Sequence, residues 1–138
     1  MRSEHRRGDV DAPDVALAGR LTDGWRLTAL TSWIAIAVGL AAVWAASRQI
    51  GLSTWWLRPG SPVVVSIVPF IAPGIMVALV FAHRPRLWRI GIVAGVATVA
   101  VGLGDLGRVT GLAMVEMLLG ACGIAVSAAA WTGTYREP

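Results

Sequence analysis

The chain has 138 residues, of which 56% are hydrophobic and 14% are charged, and its formal net charge is +4. This composition excludes an ordinary soluble domain, which needs more polar side chains to cover its surface. The 12 basic residues are all arginines that flank apolar segments. They therefore predict membrane orientation and no nucleic-acid partner.

Residues 1–26 are mostly polar and predict a flexible cytoplasmic N-terminal tail, because they have little apolar surface to bury. Four apolar segments follow, each close to the length that a helix needs to cross about 30 Å of hydrocarbon. Short connectors make consecutive helices antiparallel neighbours. We therefore predict an all-α membrane protein, an antiparallel bundle of four transmembrane helices. The predicted spans are 27–46, 62–82, 88–104 and 109–131, in one domain of residues 27–131, and residues 132–138 form a short cytoplasmic tail.

The arginines divide unevenly between the two sides of this bundle. Nine lie on the side of the two termini and the 83–89 turn, and three lie on the opposite side. Because cytoplasmic loops carry the excess of basic residues, we expect both termini in the cytoplasm and the protein in the cytoplasmic (inner) membrane. The nine are Arg2, Arg6, Arg7, Arg20, Arg26, Arg84, Arg86, Arg89 and Arg136, and the three are Arg48, Arg58 and Arg108.

Several tryptophans and arginines mark the ends of the predicted spans. Indole rings and basic side chains both favour the headgroup layer of a membrane. The arginines of the 83–89 turn also suit anionic lipid headgroups, although cytoplasmic placement alone accounts for them. The predicted interfacial anchors are Trp55, Trp56, Trp88, Trp131, Arg84, Arg86 and Arg89.

Small residues recur along one face of three predicted helices. Helices in lipid associate through close contact of such faces, because hydrophobicity contributes little between them. We interpret these stripes as bundle packing, and a pore lining or a homodimer seam is the alternative. They are Gly91, Gly95, Thr98 and Gly102 in the third span, Val109, Glu116, Gly120, Gly123 and Ser127 in the fourth, and Ser32, Ala35, Gly39, Ala42 and Ala46 in the first.

Glu116 is the one acidic residue well inside a predicted span. A charge at that depth costs about 3 kcal/mol on the insertion scale, so we expect a protonated carboxyl that faces the bundle. Thr98 lies at a similar depth, and Pro69 and Pro73 each free a backbone carbonyl in the second span. We predict a polar cluster of these four residues, in which Glu116 donates a hydrogen bond to Thr98 or to a freed carbonyl.

Two interpretations of Glu116 stay open. It couples protons or cations, or it is a buried polar contact that fixes helix register or binds a partner subunit. Asp105 also has two: it pairs with Arg108 across the turn, or it caps the fourth helix. His5 and His83 have no partners at metal-ligand spacing. We therefore expect no catalytic residues, no metal and no cofactor.

Four short motifs are notable: Gly51–Leu57 (GLSTWWL), Val68–Phe70 (VPF), Gly104–Leu106 (GDL) and Thr132–Arg136 (TGTYR). They resemble motifs of a group of uncharacterised small four-span integral membrane proteins from GC-rich bacteria. The resemblance covers the chain from about Gly51 onward. It implies a fold and a membrane location, with no activity attached.

The short loops and the lack of a catalytic motif favour a non-enzymatic function. We expect an accessory, assembly or stabilising subunit of a larger membrane or envelope complex. Its expected partners are the lipid bilayer and other membrane-protein subunits or a second copy of the chain. The alternative is a small homo-oligomeric transporter or channel, in which Glu116 is the proton- or cation-coupling site.

Overall fold

The structure, a computed structural model, describes residues 18–135 and is all-α. The helix bounds follow the predicted spans closely, except that the first helix begins four residues earlier and ends four residues later than predicted. Residues 1–17 of the predicted N-terminal tail and residues 136–138 lie outside the described residues. The helices are α1 (Asp23–Ile50), α2 (Val63–Phe81), α3 (Leu87–Leu103) and α4 (Thr110–Ala130), and 3-10 turns cover Trp55–Leu57 and Trp131–Gly133.

Three segments are long and apolar enough to cross a membrane: α1, α2 and Thr110–Gly133, which contains α4. The α3 helix is also apolar but has 17 residues, which gives a length of about 25 Å at 1.5 Å per residue. Large apolar side chains such as Val38, Ile67 and Leu118 are exposed on the outer faces of the helices. An exposed apolar surface of this kind suits lipid better than water.

Each helix contacts two others, so that α1, α2, α3 and α4 form a closed ring of neighbours. The α3–α4 contact is the most extensive, because glycines let the two backbones meet. A methyl group on Gly95 would lie 2.8 Å from the Ile124 nitrogen and 2.9 Å from the Gly120 oxygen. Only glycine fits at such distances. The α3–α4 seam contains Gly91, Gly95, Gly102 and Gly120.

The contact between α1 and α4 is built differently. Trp33 is 1% exposed, and its ring would lie 3.0 Å from a methyl group on Gly123. A large side chain of α1 thus fills a hole in α4. The predicted small-residue stripe is not the buried face of α1, since Ala35 is exposed, although Gly39 contacts Leu119. Instead, the buried residues of α1 are Ala29, Trp33, Ile36, Leu40, Val43 and Ser47.

Residues 18–22 are joined to the C-terminal segment and to the α2–α3 turn. Leu21 and Thr134 form an isolated antiparallel bridge. The Gly19 N–H donates to the Tyr135 carbonyl at 2.9 Å, and the Arg86 N–H donates to the Gly19 carbonyl at 2.9 Å. We call this end of the bundle the terminal end. The α1–α2 loop and the α3–α4 turn lie at the opposite end, the loop end.

Candidate functional site

The loop between α1 and α2 folds over the loop end of the bundle. Helix α1 stops at Gly51, which has a φ of 70° that favours glycine. The Ser47 hydroxyl donates to the Leu52 carbonyl and holds the chain as it leaves α1. The chain then forms the 3-10 turn Trp55–Leu57. This turn directs two consecutive tryptophans toward α3 and α4.

Trp56 is fully buried and contacts Glu116 of α4. The indole Nε1 donates to Glu116 Oε1 at 3.0 Å, and both side chains are 0% exposed. The Trp56 ring is edge-on to Phe70 of α2, with 6.2 Å between the ring centroids. The Ser66 hydroxyl donates to the Trp56 carbonyl at 3.2 Å. One loop residue therefore connects α2 and α4.

Trp55 binds Asp105, the second buried carboxyl group of the loop end. The Trp55 backbone N–H donates to Asp105 Oδ1 at 2.7 Å, and its indole Nε1 donates to the Val101 carbonyl at 3.1 Å. Asp105 is 0% exposed. Burial raises the pKa of Asp105 above its ordinary range, and the Trp55 hydrogen bond and the Arg108 charge oppose that rise. The tryptophan pair thus attaches the loop to two buried acids.

Both carboxyl groups retain unused hydrogen-bonding capacity. Among residues 18–135, Glu116 Oε2, Asp105 Oδ2 and the Thr54 hydroxyl are buried and have no hydrogen-bond partner. Buried polar atoms are normally paired, so the free oxygen of each carboxyl group is a position where a proton or a cation can bind, and the Thr54 hydroxyl is a position for a hydrogen bond. The arrangement can therefore do two things: it holds the loop against the bundle, and it offers positions where positive charge can bind.

The four residues of the predicted polar cluster do not all come together. Glu116 faces the bundle, but its hydrogen-bond partner is Trp56. The Thr98 hydroxyl donates instead to a carbonyl one turn earlier in α3, at 2.9 Å, which satisfies it within its own helix. Pro69 lines a groove with Thr98, whereas Pro73 lines a different groove between α1 and α2.

The predicted interfacial anchors form two groups, one at each end of the bundle. Trp55 and Trp56 lie at the loop end, and the others lie at the terminal end. Trp88 and Trp131 lie at the terminal end with ring centroids 6.0 Å apart, and the Arg89 guanidinium lies 5.1 Å from the Trp88 ring centroid. An interfacial role does not fit Trp56, because its ring has no exposed surface and its N–H is bound to a buried acid. The arginines of the α2–α3 region, Arg84, Arg86 and Arg89, are exposed.

Sequence reasoning missed both tryptophan–carboxyl contacts. Asp105 does not form an ion pair with Arg108. Within the described residues the one ion pair joins Arg26 to Asp23. Asp105 does not cap α4 either, because that helix has no side-chain cap. The signal that could have revealed the contacts is the length of the α1–α2 loop, which is the longest connector and can fold back over the helix ends.

Within the described residues, no group of three or more histidine, cysteine and acidic side chains could hold a metal ion. In comparisons with known proteins, the chain matches no protein family, no curated protein and no solved structure. The geometry of the loop end and of the helix faces is therefore the basis for a functional proposal.

Proposed function

We propose that the chain crosses the cytoplasmic membrane four times, with both termini in the cytoplasm. Among the described residues, five arginines lie at the terminal end and three at the loop end. Arg2, Arg6, Arg7 and Arg136, outside those residues, add to the terminal side by sequence. An excess of arginine favours the cytoplasmic side. The five are Arg20, Arg26, Arg84, Arg86 and Arg89, and the three are Arg48, Arg58 and Arg108.

We further propose that the protein is non-enzymatic and serves as an accessory or assembly subunit of a larger membrane or envelope complex. The observation that carries this proposal is an apolar groove of about 370 Å³ between α2 and α3. Three small side chains, Ala72, Ala94 and Ala97, line it together with larger branched ones such as Ile71 and Ile75. Helices in lipid associate where small residues let backbones approach. The groove is thus a suitable binding surface for another helix.

The occupant that fits this groove is a transmembrane helix of a partner protein. The groove follows α3 from Ile90 to Val101, about 16 Å at 1.5 Å per residue, which is enough for about three turns of a crossing helix. The opposite face of α3 already binds α4 through small residues. A lipid chain and a second copy of this protein are the other occupants, and they are outcomes of the test below.

The test is affinity purification in mild detergent, followed by the native mass of the particle. Ala97→Trp fills the groove, and Ala35→Trp is the matched control, because Ala35 is exposed on α1 outside the groove. We expect the wild type and Ala35→Trp to hold the same stoichiometric partner, and Ala97→Trp to lose at least nine tenths of it. A partner retained equally by both variants contradicts the proposal, and so does a particle that contains only lipid or only this chain.

Glu116 Oε2 supports a second candidate function, a small homo-oligomeric transporter or channel coupled to protons or cations. Ionisable groups within membranes often line ion paths, and this buried oxygen has no partner in the described part of the chain. Glu116→Gln distinguishes the two functions, since an amide oxygen can still accept from Trp56 but cannot release a proton. A transporter would lose ion-coupled flux in proteoliposomes and still assemble. An accessory subunit would keep its partner.

We also propose that the chain is related to the small four-span bacterial proteins whose motifs it resembles, and the structure gives each of these motifs a position in the fold. Trp55 binds Asp105, and Trp56 packs against Phe70, so three motifs distant in sequence meet at the loop end. The fourth motif pairs with residues 19–22 at the terminal end. Each motif therefore has a definite place in this fold.

A further inference from the structure

A cavity of about 250 Å³ lies at the terminal end of the bundle. The tryptophan–carboxyl contacts lie at the opposite end, the loop end. It forms where residues 18–22, the α2–α3 turn and the C-terminal segment meet. Leu21 and Leu87, both nearly buried, provide its apolar wall. Its polar lining consists of Arg20, Asp23, Arg26, His83, Arg84 and Tyr135.

The lining of this cavity is basic. Its three arginines and one aspartate give a net charge of +2 with His83 neutral, since 3 − 1 = 2. Asp23 accepts from Arg26 Nη1 at 2.9 Å, but the Asp23 side chain is 94% exposed, and an exposed ion pair of this kind is weak. The cavity therefore has donors and positive charge to offer an anion.

Hydrogen bonds hold the backbone around the cavity in place, and two residues of that backbone are in a strained conformation. His83 and Arg86 have φ values of 52° and 57°, a left-handed conformation that is unfavourable for a residue with a Cβ atom. These two residues flank Arg84, which lines the cavity. The Tyr135 N–H donates to the Arg20 carbonyl at 2.9 Å and fixes the opposite wall. Strained turns of this kind are often found at binding sites.

We propose that this cavity binds the phosphate group of an anionic phospholipid from the cytoplasmic leaflet. Guanidinium groups bind phosphate oxygens through paired hydrogen bonds, and basic pockets at the cytoplasmic ends of membrane helices bind acidic headgroups. A lipid fits better than free phosphate because Leu21 and Leu87 can contact its glycerol and acyl carbons. The site requires membrane embedding, and it does not depend on the accessory function.

The site differs from the arginine group expected from the sequence. Arg84 belongs to it, whereas Arg86 and Arg89 do not line the cavity. Arg89 lies over the Trp88 ring instead. Arg20 and Arg26, distant in sequence from the turn, complete the site.

The experiment is a lipid-binding titration of the purified full chain in non-ionic detergent, read by native mass spectrometry. The probes are phosphatidylglycerol, phosphatidylcholine and inorganic phosphate. We expect phosphatidylglycerol to bind at least tenfold more tightly than phosphatidylcholine. The double variant Arg20→Gln/Arg84→Gln should lose at least tenfold in that affinity, and each single variant should lose part of it. Arg108→Gln, at the loop end, is the matched control and should bind as the wild type does.

Equal affinity for the two lipids overturns the proposal, and so does a double variant that binds as the wild type does. Competition by inorganic phosphate that depends on Arg20 and Arg84 is expected, because the lipid binds through its phosphate group. Binding of inorganic phosphate at this cavity without binding of phosphatidylglycerol assigns the site to free phosphate and overturns the lipid as its source. The thermal midpoint of each variant without lipid checks the fold. If the double variant does not fold, the single variants decide the question.

Discussion

At the scale of single residues, Trp56 and Glu116 determine how the loop end is built. A carboxyl group in a membrane helix needs a hydrogen-bond donor, and an indole N–H in the interior needs an acceptor. The two groups meet at 3.0 Å with no exposed surface on either side chain. Each therefore offsets the burial cost of the other, and the contact holds the α1–α2 loop against α4.

Replacement of Trp56 by phenylalanine tests this contact. The variant keeps a ring beside Phe70 but removes the N–H, so a carboxyl oxygen of Glu116 loses its donor. An unpaired buried acceptor costs about 1 to 3 kcal/mol, and we expect the free energy of unfolding in detergent to fall by that amount. Trp44→Phe is the matched control because Trp44 is 44% exposed. If both variants unfold at the same temperature as the wild type, the contact has no structural role.

Asp105 makes the stability of the loop end depend on pH. Burial raises the pKa of Asp105 in the folded state, so the folded chain binds more protons than the unfolded chain between the ordinary aspartate pKa of about 4 and the raised value. Stability contributed by this group is therefore full below that window and is lost as pH rises through it.

The measurement is the thermal midpoint of the wild type and of Asp105→Asn across a pH series. We expect the difference between the two proteins to change with pH in the direction just given, because asparagine does not titrate. Because the charges of Asp105 and Glu116 interact, the same comparison in a Glu116→Gln background isolates the contribution of Asp105. A pH-independent difference between the two midpoints contradicts this account of Asp105.

At the scale of elements, the α3–α4 seam and the α1–α4 contact show two ways to pack apolar helices. The seam brings backbones together at glycines of both helices. In the α1–α4 contact, Trp33 fills a hole at Gly123. Both arrangements use the van der Waals contact that drives association in a bilayer.

Gly95→Ala tests the α3–α4 seam. The added methyl group would lie within 2.9 Å of backbone atoms of Ile124 and Gly120, and a backbone cannot move aside as a side chain can. Overpacking of this kind costs about 1 to 3 kcal/mol, so we expect a lower thermal midpoint. Gly74→Ala, in α2, is the control because nothing lies within 4 Å of its added methyl group. If Gly74→Ala loses as much stability as Gly95→Ala, close backbone contact at Gly95 does not explain the packing of α3 against α4.

Much of this architecture follows from the sequence, and the reasons differ between helices. Apolar length gives the four helices, and glycine spacing finds the face that α3 presents to α4. The same reasoning misjudged α1, because a hole on α4 can accept a large side chain and no small stripe is then needed on α1. Sequence reasoning also placed Trp56 at the membrane interface. Local sequence cannot show that the α1–α2 loop folds onto the bundle and brings Trp56 to Glu116, which is 60 residues away in sequence.

At the scale of the whole molecule, the two ends of the bundle differ in chemistry. The terminal end has most of the arginines and the basic cavity, and the loop end has two buried acids and two inward-turned tryptophans. This asymmetry fits a membrane protein with a defined orientation.

Cysteine labelling in intact cells tests that orientation. Cys122 is the only cysteine, so Cys122→Ser gives a background for Ser61→Cys at the loop end and Thr132→Cys at the terminal end. We expect a membrane-impermeant maleimide to label position 61 in intact cells, and position 132 only after the membrane is permeabilised. The reverse pattern would place the termini outside the cytoplasm.

The most direct test of the accessory function is site-specific photo-crosslinking in native membranes. A photoreactive residue at position 97 lies in the groove between α2 and α3, and one at position 35 lies on the exposed face of α1. We predict one discrete protein adduct from position 97, formed with the partner that co-purifies with the wild type, and no such adduct from position 35. Lipid adducts alone at position 97, or the same protein adducts from both positions, would contradict the proposal.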